Sequence, residues 1–148
     1  MNKAETAVQY FESYNCAQSV LAAYAADYGL EKEAALQIAV GFGGGIGRLQ
    51  DICGAVSAAV AVLGLASGFK ESDRRPEINA AYDTVRRFIA DFESEKGTTK
   101  CRALLNCDLS SEEGQKYFKE NNLKDNCRNY VRLCCELLDK YTAANSAG

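Results

Sequence analysis

Seven cysteines and no histidine decide what chemistry this chain can do. Without histidine, the Ser-His-Asp and Cys-His nucleophiles are excluded. So are Cys2His2 zinc, His-ligated haem and the 2-His-carboxylate iron site. A site must be built from thiols, carboxylates and backbone. Four cysteines follow helix-start signals: Cys16 after Asn15, Cys53 after Asp51, Cys101 after Thr98 and Thr99, and Cys127 after Asp125. A helix N-terminus carries about half a positive charge and free amides. A thiol there is expected to ionise more easily, to be more nucleophilic and to be a better metal ligand.

The other three cysteines fall elsewhere. Cys107 is in a loop, and Cys134 and Cys135 are in the middle of the last helix, where Cys134 shares the core stripe of Val131 and Leu138. No CxxC occurs, so neither a thioredoxin motif nor a zinc ribbon is present. Cys127 and Cys134 are seven residues apart on one helix, roughly 10 Å, which exceeds the ~7 Å limit for a disulfide. Cys134 and Cys135 point to different faces. Cys101 and Cys107 could bridge only if the short helix between them unwinds.

Helical periodicity positions these residues, and no strand pattern appears. The expected fold is all-α, a multi-helix bundle around a buried central helix at about 51–68. Ala4, Ala7, Val8 and Phe11 mark a first helix over about Lys3–Ser13. Asn15 caps a second, with a stripe of Ala17, Val20, Leu21, Tyr24 and Tyr28 closed by Gly29. Leu30, Ala34, Ile38 and Phe42 predict the inner face of a third. The central helix follows, with Asp51 as its cap and Gly54, Ala58 and Ala61 as a small-residue side that permits a homodimer. Pro76 suits the start of a fifth helix, with Ile78, Tyr82, Val85, Ile89 and Phe92 inward. A short helix over about Lys100–Asn106 comes next, then one over about Ser111–Asn121 with Ser110 and Glu113 as a capping box. The last helix, capped by Asp125, buries Val131, Cys134, Leu138 and Tyr141, and residues 143–148 are expected to fray.

Ahead of the central helix stands a glycine loop, Gly43-Gly44-Gly45-Ile46-Gly47, followed by Arg48. It is neither a Walker A sequence nor GxGxxG, and no strand precedes it, so a nucleotide is not the expected ligand. It reads either as a tight helix–helix connection or as a cradle. In the second reading, Gly43, Gly44, Gly45 and Gly54 bring amides close to the Cys53 sulfur and Arg48 balances negative charge.

At 148 residues, 47% hydrophobic and 25% charged, the chain is expected to be one domain, 1–148. The net charge of −3 and the lack of a basic block argue against nucleic acid. The N-terminus has no apolar signal region, and the run from Ile52 to Phe69 is rich in Ala, Ser and Gly with no basic flank of the usual pattern, so neither secretion nor a membrane span is expected. A cytoplasmic protein is the reading, in which thiols are reduced and the odd cysteine count does not suit a fully paired disulfide framework.

Asn15-Cys16-Ala17-Gln18, the run Gly41 to Arg48, Cys53-Gly54-Ala55, Cys101-Arg102 and Cys127 together resemble the C_GCAxxG_C_C family of redox-active proteins. The resemblance covers nearly the whole chain and maps the family's four cysteines onto Cys16, Cys53, Cys101 and Cys127. It implies a redox role. A related region in split-Soret-type cytochromes implies electron transfer on the same scaffold, but haem does not carry over to a chain without CxxCH. The family's CGAxxG reads Cys53-Gly54-Ala55-Val56-Ser57-Ala58 here, with alanine for the last glycine.

Three functions stay open at this stage. The four cysteines carry thiol–disulfide or electron-transfer chemistry, with Cys53 as attacking thiolate and an unknown redox partner. Alternatively, Cys16, Cys53, Cys101 and Cys127 ligate an iron–sulfur cluster or zinc. The third reading is a helical interaction protein with ordinary core cysteines, whose sulfurs would share no cleft.

Overall fold

The computed structural model describes residues 1–146; Ala147 and Gly148, the end of the tail expected to fray, lie outside the described residues. The elements are α1 (Lys3–Tyr10), α2 (Cys16–Ala25), α3 (Lys32–Ala39), α4 (Gly43–Ile46), α5 (Gly54–Ser67), α6 (Arg75–Lys96), α7 (Cys101–Leu105), α8 (Glu112–Glu120) and α9 (Leu123–Ser146). The fold is all-α: the described residues contain no strand, only one isolated antiparallel bridge between Ile52 and Lys100. No helix among them is long and apolar enough to cross a membrane.

Local capping sets α2. The Asn15 side chain accepts from the Gln18 amide at 2.9 Å, and the Gln18 side chain accepts from the Asn15 amide at 3.1 Å. Its far end passes through one 3-10 turn to Gly29, whose φ of 71° closes the helix as expected. Between these ends every residue from Ser19 to Ala25 is buried. The helix expected at 51–68 forms as α5, with Gly54, Ala55, Val56, Ala58, Ala59, Val62 and Leu63 buried. Small side chains on both helices let α2 and α5 pack closely; α1 and α9 pack on them, and α3, α6 and α7 add further residues to the core.

Three expectations differ. On α3 the buried residues are Ala35 and Ala39, while Ile38 is exposed at 53%, and Phe42, beyond the end of the helix in a 3-10 turn, at 41%. On α6 Phe88 and Phe92 are buried, and Tyr82 faces solvent. Ser111, not Ser110, caps α8 and accepts from the Gly114 amide at 2.9 Å. In each case tertiary packing chose between neighbouring faces or caps of similar local merit.

Candidate functional site

The residues that bring the cysteines together lie just ahead of α5. From Gly44 to Gln50 the chain is left-handed at every residue except Leu49: φ is 65° at Gly44, 66° at Gly45, 67° at Ile46, 54° at Gly47, 65° at Arg48 and 58° at Gln50. Only glycine adopts this region cheaply, so the two glycines start a turn that Ile46, Arg48 and Gln50 must then follow under strain. Backbone bonds tie the turn together, Gln50 N–H to Gly44 O at 3.0 Å and Asp51 N–H to Gly45 O at 2.9 Å.

The strand-like segment after the turn then pairs with the entry to α7. Cys53 N–H donates to Thr99 O at 2.8 Å, Cys101 N–H to Asp51 O at 2.7 Å, and Arg102 N–H to Gln50 O at 3.1 Å. Lys100 and Asp51 form an ion pair across the same bridge. The starts of α5 and α7, at Gly54 and Cys101, are thereby fixed side by side. Asp51 is therefore not the cap of the central helix; Cys53 occupies that position, and the Asp51 carboxylate serves Lys100 instead.

Gln50 is the fastener that no sequence motif marks. It is 4% exposed, and its carboxamide donates to Cys107 O and accepts from Leu109 N–H, both at 2.8 Å. The same carboxamide stands beside the Cys101 sulfur. All its hydrogen-bonding groups are used, and the 107–109 loop is held against the bridge.

Cys16, Cys53, Cys101 and Cys127 all line one cavity of about 360 Å³, walled by Phe11, Tyr14, Phe118 and Tyr130. Gly44, Gly45, Arg48 and Gly54 line it too; Gly43 does not. A Cβ on Gly43 would lie 2.4 Å from Asn15 Nδ2, so that glycine serves the α2 cap rather than the site. Cys16 and Cys101 are the first residues of their helices, as expected, whereas Cys53 stands at the N-cap of α5 rather than in its first turn. Cys127 is not in a first turn: α9 begins at Leu123, which puts Cys127 one turn in, and Asp125 pairs with Arg128.

The glycine loop turns its amide to Cys16, not to Cys53. The amides of Gly44, Ala17 and Ala55 face the Cys16 sulfur, which also fills the space beside Gly54. Helix-start amides do not win the electrostatic contest. Burial pushes every one of these thiols up: Cys16 and Cys53 are raised, Cys101 to about 11 and Cys127 to about 12. Neighbouring sulfurs add to the rise, and Cys16 acts on Cys53, Cys101 and Cys127 alike. The expectation of easily ionised thiols is thus corrected, because desolvation exceeds the pull of the amides.

All seven cysteines are free thiols. Cys134 and Cys135 are fully buried in the core, as expected for Cys134. Cys107 is half-buried and within electrostatic reach of Cys101 and Cys127, a proximity that its loop position in the sequence did not reveal. Among the described residues, no three His, Cys, Asp or Glu side chains are grouped closely enough to hold a metal ion. Ala58, where the family pattern has glycine, is 3% exposed in the core and does not line the cavity.

A family model matches residues 14–141, C_GCAxxG_C_C, described as "Putative redox-active protein". The chain belongs to the C_GCAxxG_C_C family. That description supports a redox role in general terms for this member. No curated protein and no solved structure was found to be similar.

Proposed function

We propose that this C_GCAxxG_C_C protein exchanges electrons as thiol and disulfide, with Cys16, Cys53, Cys101 and Cys127 as its working set. The observation that carries the reading is their shared 360 Å³ cavity, reached from three helix starts and the second turn of α9. Cys16 is the central thiol of the set, since it lies within electrostatic reach of the other three and backbone amides face its sulfur. It takes the attacking role that the sequence assigned to Cys53, which is 6% exposed. Raised thiols suit a protein that holds its reduced form until a disulfide is delivered into the cavity, because thiolate, not thiol, is the reacting species.

Controlled oxidation followed by peptide mapping tests this. The expected cross-links join members of the four, and Cys16→Ser suppresses them while Cys134→Ser does not. Absence of cross-links among the four, or stoichiometric iron or zinc in anaerobically purified protein, would overturn the reading.

A further inference from the structure

Beside the thiol cavity lies a second groove of about 730 Å³, and the two share Arg48, Leu109, Phe118 and Lys124 as lining. Lys116 and Lys119 on α8 also line this groove, and none of its described lining residues is acidic. Four cations around one opening are unexpected in a chain of net charge −3. They are mostly unspent. Arg48 and Lys119 make no ion pair among the described residues, Lys124 lies 5.5 Å over the Phe11 ring, and only Lys116 has a carboxylate, Glu120, at 3.8 Å.

Arg48 is also placed at a cost. It holds a φ of 65°, and its side chain runs through the space a Cβ on Gly44 would fill, 2.7 Å from its Cγ. Strain of this kind persists where surrounding structure enforces it, commonly at binding sites. Here it sets a free guanidinium at the junction of the groove and the cavity.

The geometry points to an anionic low-molecular-weight disulfide as the oxidant of this site, its carboxylates on the basic groove and its S–S bond at the cavity thiols. This inference rests on the thiol–disulfide reading and supplies its substrate class. A cavity thiolate attacks one ligand sulfur; the ligand S–S bond breaks and one thiolate leaves, taking up a proton. A second cavity thiol gives up its proton and attacks the protein sulfur of the mixed disulfide. That closes a protein disulfide and releases the second ligand thiol. Two electrons pass from two protein thiols to the ligand. Leu109 and Phe118 supply the apolar floor between the charged and reacting ends.

The test compares oxidised glutathione, which is anionic, with cystamine, which is cationic, and bis(2-hydroxyethyl) disulfide, which is neutral. Rates of thiol loss are measured for wild type and for Lys116→Glu/Lys119→Glu, two exposed positions outside the core. Taking the ratio of rates between proteins cancels each reagent's own reactivity. The glutathione-to-cystamine ratio should fall about tenfold in the variant, and 0.5 M salt should remove most of that difference, as for electrostatic steering into a charged cleft (about 0.5 M screens beyond roughly 4 Å). Lys116→Gln/Lys119→Gln should give a smaller fall of the same sign. A ratio equal in all three proteins, with every reagent still oxidising the cavity thiols, overturns the substrate class and leaves the redox reading standing. No oxidation by any reagent overturns both.

Discussion

The sulfur of Cys16 occupies the space left by the missing side chain of Gly54. A Cβ built there would lie 2.7 Å from Cys16 Sγ and 2.7 Å from Phe42 O. The glycine of the Cys53-Gly54-Ala55 run is thus what allows the start of α2 to meet the start of α5. Gly54→Ala should cost about 1–3 kcal/mol by overpacking and should push Cys16 away from Cys53. Ala58→Gly, which restores the family residue, should cost only about 1 kcal/mol of helix propensity and leave oxidation of the four thiols unchanged. Chemical denaturation of both variants, read beside their oxidation rates, separates the two. Equal oxidation rates in Gly54→Ala and Ala58→Gly would show that the contact has no bearing on the thiols.

Gln50 joins the glycine turn, the start of α7 and the 107–109 loop through one side chain and its backbone. Gln50→Ala leaves the Cys107 carbonyl and the Leu109 amide without partners, which should cost about 1–3 kcal/mol. Loss of that fastener should also free the loop that carries Cys107. Alkylation of Cys107 is then expected to accelerate more than that of Cys127, as read by mass spectrometry of labelled peptides. Unchanged labelling at Cys107 would mean that Gln50 contributes stability alone.

What could be read in advance follows the range of the interactions. The Asn15 cap and the Gly29 stop are local, and their residues carry the information themselves. The cysteine set was legible for the same reason at three of its four positions. Along the third helix and the turn after it two apolar stripes interleave; the bulkier one, with Ile38 and Phe42, read as core, yet the close approach of neighbouring helices selects Ala35 and Ala39. Gln50 and the Ile52–Lys100 bridge were invisible because their partners are roughly 50 positions away in sequence. The direction of the thiol shifts failed to follow from helix starts because desolvation is a property of the whole fold.

Those shifts have a sign that stability can report. In the folded chain burial lifts Cys101 to about 11 and Cys127 and Cys135 to about 12. An unfolded cysteine titrates at about 8.5. Below that value the thiols are neutral in both states, and they make no pH dependence. Above it the unfolded chain loses protons that the folded chain keeps, so stability falls as pH rises from about 8.5 towards the folded values. The melting temperature of the reduced protein should be flat from pH 6.5 to 8 on this account, then drop by about 5 °C or more by pH 10.5. Cys127→Ser/Cys135→Ser should soften that drop. An identical slope in the variant would assign the alkaline loss to other groups.

Ile46 carries the clearest strain in the site: a β-branched residue at φ 67°, 44% exposed and between two glycines. The left-handed conformation costs a non-glycine residue roughly 1–2 kcal/mol, and a half-exposed side chain recovers little of it. Ile46→Gly should therefore stabilise the protein by about 1 kcal/mol, an uncommon outcome for removing an apolar side chain. Gly45→Ala one position earlier should do the opposite. Its Cβ would meet the Asp51 backbone nitrogen and oxygen at 2.7 Å each, and these atoms cannot retreat without breaking the bonds to Gly45 and Cys101. The expected pair of results is a raised denaturation midpoint for Ile46→Gly and a lowered one for Gly45→Ala, the latter with slower oxidation of Cys53. A destabilised Ile46→Gly would mean that the isoleucine packs on the turn more strongly than its exposure indicates.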